Sequence, residues 1–189
     1  MKPKLLLHSC CAVCSSHVIS VLTEEYEVTV FYYNPNIWPE EEYLHRKAEQ
    51  IRLLQEADFC KDVSFVDLDY DHNEYLSVIT GLESEKEGGK RCEVCFRQRL
   101  EKTALYAKEH GFPFYCTTLT VSPHKNSTVI NALGEEISKR YGIIWLHSDF
   151  KKKDGYLHSV RLAQKYDLYR QDFCGCEFAW RGKNSQSLN

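Results

Sequence analysis

The chain has 189 residues, 43% of them hydrophobic and 27% charged, with a formal net charge of −3. That is enough for one globular domain with a real core, and no run approaches the 18 apolar residues of a membrane span. The apolar start at 5–7 is too short for a signal-peptide core, so the protein is read as cytoplasmic and without a membrane partner.

Short apolar or β-branched runs at 4–8, 27–33, 63–68, 114–118 and 142–146 alternate with stretches of helical period at 15–22, 39–57, 73–80, 92–110, 125–141 and 155–166. Strands separated by helix-length segments predict βαβ crossovers. The expected fold is a Rossmann-like three-layer α/β/α domain over 1–189 with a mostly parallel five-stranded sheet, its last residues, 177–189, forming a flexible tail. Pro39, with Glu40, Glu41 and Glu42 behind it, opens one helix in the way the macrodipole favours. Gly111 and Pro113 stop another. In open parallel sheets, ligands bind beyond the carboxyl ends of the strands, and "HSCCAVC" at 8–14 follows the first strand directly.

Nine cysteines stand at 10, 11, 14, 60, 92, 95, 116, 174 and 176. Cys60 and Cys116 sit alone among apolar neighbours and read as buried small hydrophobes. The other seven form three groups: Cys10-Cys11-x-x-Cys14, Cys92-x-x-Cys95 and Cys174-x-Cys176. An odd count in a cytosolic-looking chain disfavours disulfides, and a nucleophile with its base would leave most thiols unexplained. Structural zinc commonly takes two CxxC pairs, and one is present. A [4Fe–4S] cluster also takes four thiolates, leaving three for a second metal or an open corner. Thiolates suit both metals; spacing favours iron–sulfur, and zinc stays open. A helix start at Cys92 and Cys95 would put both side chains on one face, beside free N–H groups that favour thiolate charge. Cys10 and Cys11 would point apart if the chain there is extended.

Other segments gather polar, basic and aromatic residues on the presumed ligand edge. "FYYNPNIWPEEEY" (31–43) reads either as a turn and helix start or as a wall for a base or sugar built from Tyr33, Asn34, Asn36 and Trp38. Arg97 and Arg99 follow the CxxC. In "TTLTVSPHKN" (117–126), Ser122, Lys125 and Asn126 could bind phosphate at a helix N-terminus or, for Ser122 and Asn126, simply cap it. Lys151, Lys152 and Lys153 read as a solvated charge run. No Walker A loop, GxGxxG or SGGxDS-type phosphate loop is present, which argues against ATP use.

Six segments in order, "HSCCAVCS" (8–15), "YNPNIWPEEEY" (33–43), "EGGKRCEVCFRQRL" (87–100), "TTLTVSPHKN" (117–126), "DFKKKDGY" (149–156) and "LYRQDFCGC" (168–176), make the chain similar to the QueH family of epoxyqueuosine reductases. Val13 stands where that family commonly has proline, and Trp38 where it commonly has histidine, so a metal-ligand or acid role is not carried over to Trp38. The resemblance implies a fold like the adenine-nucleotide alpha-hydrolases, a [4Fe–4S] cluster with an adjacent mononuclear iron, and an external electron donor. It implies two-electron deoxygenation of epoxyqueuosine in the anticodon loop of a tRNA. On that basis Cys92 and Cys95, with thiols of the Cys10/Cys11/Cys14 group, would hold the cluster. Cys174 and Cys176, with the remaining thiol, would hold the iron. Tyr33, Asp149 or a water would donate the proton. Asn34, Asn36, Trp38, Arg97, Arg99, Ser122, Lys125 and Asn126 would bind substrate, stacking and local phosphate contacts sufficing for a single-stranded loop. The runner-up is a non-catalytic metal-bound tRNA-binding or redox-carrier module.

Overall fold

The computed structural model describes residues 2–179. Five strands, β1 (Lys4–His8), β2 (Glu27–Tyr32), β3 (Ser64–Asp67), β4 (Phe114–Thr117) and β5 (Ile144–Trp145), form one all-parallel sheet in the order β3-β2-β1-β4-β5. Six helices connect and cover them: α1 (Ala12–Leu22), α2 (Glu40–Glu56), α3 (His72–Val78), α4 (Lys90–Glu109), α5 (Ser127–Tyr141) and α6 (Gly155–Lys165). Each predicted strand and helix is present. The first helix begins at Ala12 rather than 15, which brings Cys14 into its first turn. Pro39 stands one residue before α2.

The central strand explains the layering. Leu5, Leu6 and Leu7 are all completely buried, so β1 needs cover on both faces. Each such side chain contributes roughly 1.5–3 kcal/mol by leaving water. Cys60 and Cys116 lie buried in the same core, as read from their neighbours.

Because all strands run one way, their carboxyl ends share an edge. Strand order reverses between β1 and β4, which makes the crevice beyond them the natural ligand site. The turns leaving β1 (Ser9–Cys11) and β4 (118–126) flank it. The expected flexible tail falls mainly on 180–189, outside the described residues. Glu177, Phe178 and Ala179 are helical, with Glu177 buried and 3.2 Å from His72 Nε2.

Candidate metal centre

The first thiol group lies where β1 turns into α1. Cys11 is the extended residue before the helix, and the thiols of Cys10, Cys11 and Cys14 hydrogen-bond to one another. Cys10 and Cys11 therefore do not diverge: the chain bends into the helix immediately after them. Gln171 Nε2 also donates to Cys11 Sγ at 2.9 Å.

The second group opens α4. Gly89 precedes the helix, and Cys92 and Cys95 occupy its first turns, as their spacing predicts. The Gly88 N–H points at Cys92 Sγ from 3.2 Å. Its φ of +85° suits glycine. Buried Arg91 fastens the preceding loop by donating to the Glu83 carbonyl at 2.8 Å. The third group, Cys174 and Cys176, lies in an irregular segment after α6. Gly175 between them has φ +102°, and a Cβ there would fall 2.9 Å from Ile37 Cγ1.

Two adjoining cavities collect six of these thiols, all but Cys11. One, of about 380 Å³, is lined by Cys10, Cys14 and Cys174 together with Arg46, Ser122, Tyr156 and Arg170. The other, of about 150 Å³, is lined by Cys92, Cys95, Cys174 and Cys176 with Asn36, Tyr75, Arg99 and Asn126. Glu87, His124, Lys125 and Cys174 line both. Among the described residues, no three Cys, His, Asp or Glu side chains are gathered tightly enough to hold one metal ion. The thiols are instead distributed around the two spaces.

The electrostatics favour thiolate at one sulfur in each of two groups. Hydrogen bonds from Cys11 and Cys14, then the charges of Lys125 and Arg99, hold the Cys10 thiol well below its usual range, outweighing burial. Cys11 is pushed up to about 11 and Cys14 well upward, chiefly by the hydrogen bonds with Cys10. Cys176 is pulled down to about 5, first by its hydrogen bond with Cys174 and further by the Tyr75 hydroxyl and the N–H groups of Phe178 and Ala179. Burial raises Cys95. Burial alone would favour neutral Arg99 and Lys125. The Cys95 and Cys10 thiols restore the charge of Arg99, and the Cys10 and Cys14 thiols that of Lys125.

The structure divides the other sequence-predicted residues. Asn36 lines the smaller cavity, buried, with an unpartnered Oδ1. Asn126 lines it too, but its Oδ1 already caps α5 by accepting from Thr128 and Val129. Ser122 lines the larger cavity and accepts the His124 N–H at 3.3 Å. Asn34 is buried and donates to the Ser9 carbonyl at 2.8 Å, shaping the cysteine turn. Trp38 donates its N–H to the Gly175 carbonyl at 2.8 Å.

Like Asn34 and Trp38, three further candidates line neither cavity. The Tyr33 hydroxyl donates to Glu74 at 2.6 Å. Asp149 pairs with Lys151 at 3.1 Å. Arg97 forms a two-point pair with Glu136 on α5, at 2.7 and 2.8 Å. Arg97 and Arg99, two positions apart on a helix, face different ways. Sequence reasoning missed Tyr75, Gln171, His124, Glu87 and Arg46. Of these, His124, Glu87 and Gln171 lie inside segments the sequence singled out, while Tyr75 and Arg46 carried no local signal.

A family model described as Epoxyqueuosine reductase QueH matches residues 5–182 of this chain. Curated proteins bearing that name are similar over nearly its full length. The one from Streptococcus pyogenes serotype M1 is 46% identical over 182 residues, covering 95% of this chain and 71% of the relative. The Staphylococcus aureus protein is 38% identical over 185 residues, with 95% and 76% covered. The Thermotoga maritima protein is 33% identical over 178 residues, with 93% and 89% covered.

Proposed function

Because the chain belongs to the epoxyqueuosine reductase QueH family, we propose that it deoxygenates the epoxide of epoxyqueuosine in a tRNA anticodon loop, taking electrons from an external donor. The overall change adds two electrons and two protons, restores a carbon–carbon double bond and releases the epoxide oxygen as water. The observation that carries this reading is the convergence of six thiols from three distant segments on two adjoining cavities at the carboxyl edge of the sheet, with a seventh, Cys11, hydrogen-bonded to two of them.

The donor set fits a [4Fe–4S] cluster with a neighbouring iron. Four thiols, Cys92, Cys95, Cys174 and Cys176, surround the smaller cavity, the ligand number such a cluster takes. Cys10, Cys14 and the shared Cys174 face the larger one, with Cys11 beside them. This grouping pairs the CxxC with the C-terminal thiols, whereas the expectation drawn from the family resemblance paired it with thiols of the Cys10/Cys11/Cys14 group, leaving one of them for the iron. When bound, the metal centre would supply one-electron reducing equivalents and Lewis acidity.

The remaining work falls to the protein. Buried Arg99 offsets the thiolate charge between the groups, where few waters could. Asn36 presents Oδ1 as an acceptor for a ligand hydroxyl or amine. Lys125 Nζ, kept protonated by the thiols around it, holds a proton where the two cavities meet. Exposed Arg170 and His124 and the ring of Tyr156 border the larger cavity, offering phosphate contacts and a stacking surface to a single-stranded loop.

The test is anaerobic purification with iron, acid-labile sulfide and visible absorption measured per chain, followed by reaction with epoxyqueuosine-containing tRNA and a reductant. About five irons, four sulfides and conversion to queuosine are expected. Zinc without sulfide after reconstitution would overturn the reductase reading. A loaded centre without product would return the protein to the binding or carrier module.

A further inference from the structure

Helix α2 turns one polar face toward the irregular segment that carries Cys174 and Cys176. Arg52 donates to the carbonyls of Tyr166 at 3.0 Å and Asp167 at 2.9 Å. Glu49 accepts the Tyr169 N–H at 2.8 Å, and Glu42 accepts the Tyr169 hydroxyl at 3.0 Å. His45 stacks on the Tyr169 ring with centroids 4.1 Å apart. Positions 42, 45, 46, 49 and 52 recur every three or four residues and so share a face. Between 168 and 176 the chain has no helix or strand to satisfy its backbone, and this face supplies partners instead.

Arg46 occupies the centre of the arrangement. Its side chain is 1% exposed and lies against Glu42, Nε to Oε1 at 2.6 Å. Nη1 donates to the Cys174 carbonyl and Nη2 to the Phe173 carbonyl, both at 3.3 Å. The guanidinium also rests over the Phe173 ring, 5.1 Å from its centroid. One planar group thus grips two consecutive carbonyls, an aromatic face and a carboxylate. A Cβ on Gly175 would come within 3.1 Å of Nη1, so the thiol pair is drawn close against the fork.

We propose that Arg46 is the positioning residue for the C-terminal thiol pair, holding Cys174 and Cys176 at the two cavities through the carbonyls of Phe173 and Cys174. The consequence for metal capture rests on reading those thiols as ligands; the clamp itself does not. A lysine would keep the charge, but a single ammonium cannot reproduce the flat fork that reaches both carbonyls and Glu42.

The test is pulse alkylation of the reduced, metal-free full chain, read cysteine by cysteine by mass spectrometry in wild type, Arg46→Met and Arg46→Lys. Melting temperature is recorded on each sample, and iron bound is measured after anaerobic reconstitution. Cys174 and Cys176 are expected to react about tenfold faster in Arg46→Met and several-fold faster in Arg46→Lys, with Cys60 and Cys116 unchanged. Both variants should retain less iron. If Arg46→Met unfolds and all nine thiols accelerate together, Arg46→Lys decides. Unchanged rates at Cys174 and Cys176 in Arg46→Lys, or a general acceleration that includes Cys60 and Cys116, overturn the proposal. If wild type captures no iron, the ligand reading falls while the alkylation ratio still decides the role of Arg46.

Discussion

The Tyr75 hydroxyl lies 3.0 Å from Cys176 Sγ and joins two residues 101 positions apart in the sequence. Of the two, Cys176 is the one drawn toward its charged form, while burial drives the tyrosine the other way. Tyr75 therefore donates, and Tyr75→Phe should raise the Cys176 thiol pKa by about one unit, the scale of one hydrogen bond to a charged group. The pH profile of Cys176 alkylation in metal-free protein measures this. An unmoved profile would assign the depression to Cys174 and the local N–H groups alone.

Arg97 and Arg99 should behave differently despite their proximity. Arg97→Ala removes a partly exposed pair with Glu136 and should cost about 0.2–1 kcal/mol in denaturant unfolding, leaving iron content intact. Arg99→Met removes a buried cation beside the Cys95 and Cys10 thiols and should lower iron and sulfide per chain after reconstitution. Equal iron loss in both variants would contradict the geometry.

Changing Cys174 and Cys176 together to serine separates the two ligand groupings. If they complete the four-thiol cavity, the visible absorption of the cluster is lost along with activity. Retention of that absorption without turnover would favour the grouping expected from the family resemblance, in which Cys92 and Cys95 pair with thiols of the N-terminal group.

Arg170→Ala is expected to weaken tRNA binding similarly across tRNA sequences and to lower the salt slope by about one. Tyr156→Ala should weaken binding by about 1–3 kcal/mol if a base stacks on it, without changing the salt slope. Filter binding at several salt concentrations measures both. Unaltered affinity in the pair would move the RNA surface away from the rim of the larger cavity.

Acid should destabilise the fold through His8. Its ring is fully buried, with Nδ1 2.8 Å from Thr117 Oγ1 and Nε2 3.2 Å from the Tyr33 carbonyl. Burial, aided by the Arg99 charge, pushes its pKa from 6.5 down to about 3. Below pH 6.5 the unfolded chain takes up a proton that the folded chain refuses until about pH 3. The stabilisation is complete above 6.5 and shrinks across that window by about 1.4 kcal/mol per pH unit. Denaturant midpoints between pH 7 and 4.5 should show this slope, and His8→Asn should flatten it.

The sheet was legible because β1, β2 and β4 carry short apolar runs bounded by turn residues, and the intervening helices carry their own caps and periods. The thiol groups were legible because spacing on a helix and position after a strand are local facts. The clamp on the C-terminal thiols was not. Arg46 acts on carbonyls 127 and 128 residues away, and backbone acceptors leave no mark in the choice of side chain. Tyr33 and Asp149 attract attention because they follow strands, yet Tyr33 is committed to Glu74 and Asp149 to Lys151. Sequence position can place a residue on the ligand edge, but the direction of its side chain depends on partners the sequence does not announce.

The three thiol groups lie at 10–14, 92–95 and 174–176, which gives the site a history during synthesis. At typical translation speeds, roughly ten to thirty seconds separate the emergence of the first group from that of the last. During that interval the early cysteines are displayed without the segment that encloses the second cavity. If these thiols hold a metal centre as proposed, its loading is a late event, after β4 and the α2-bound segment have come into place.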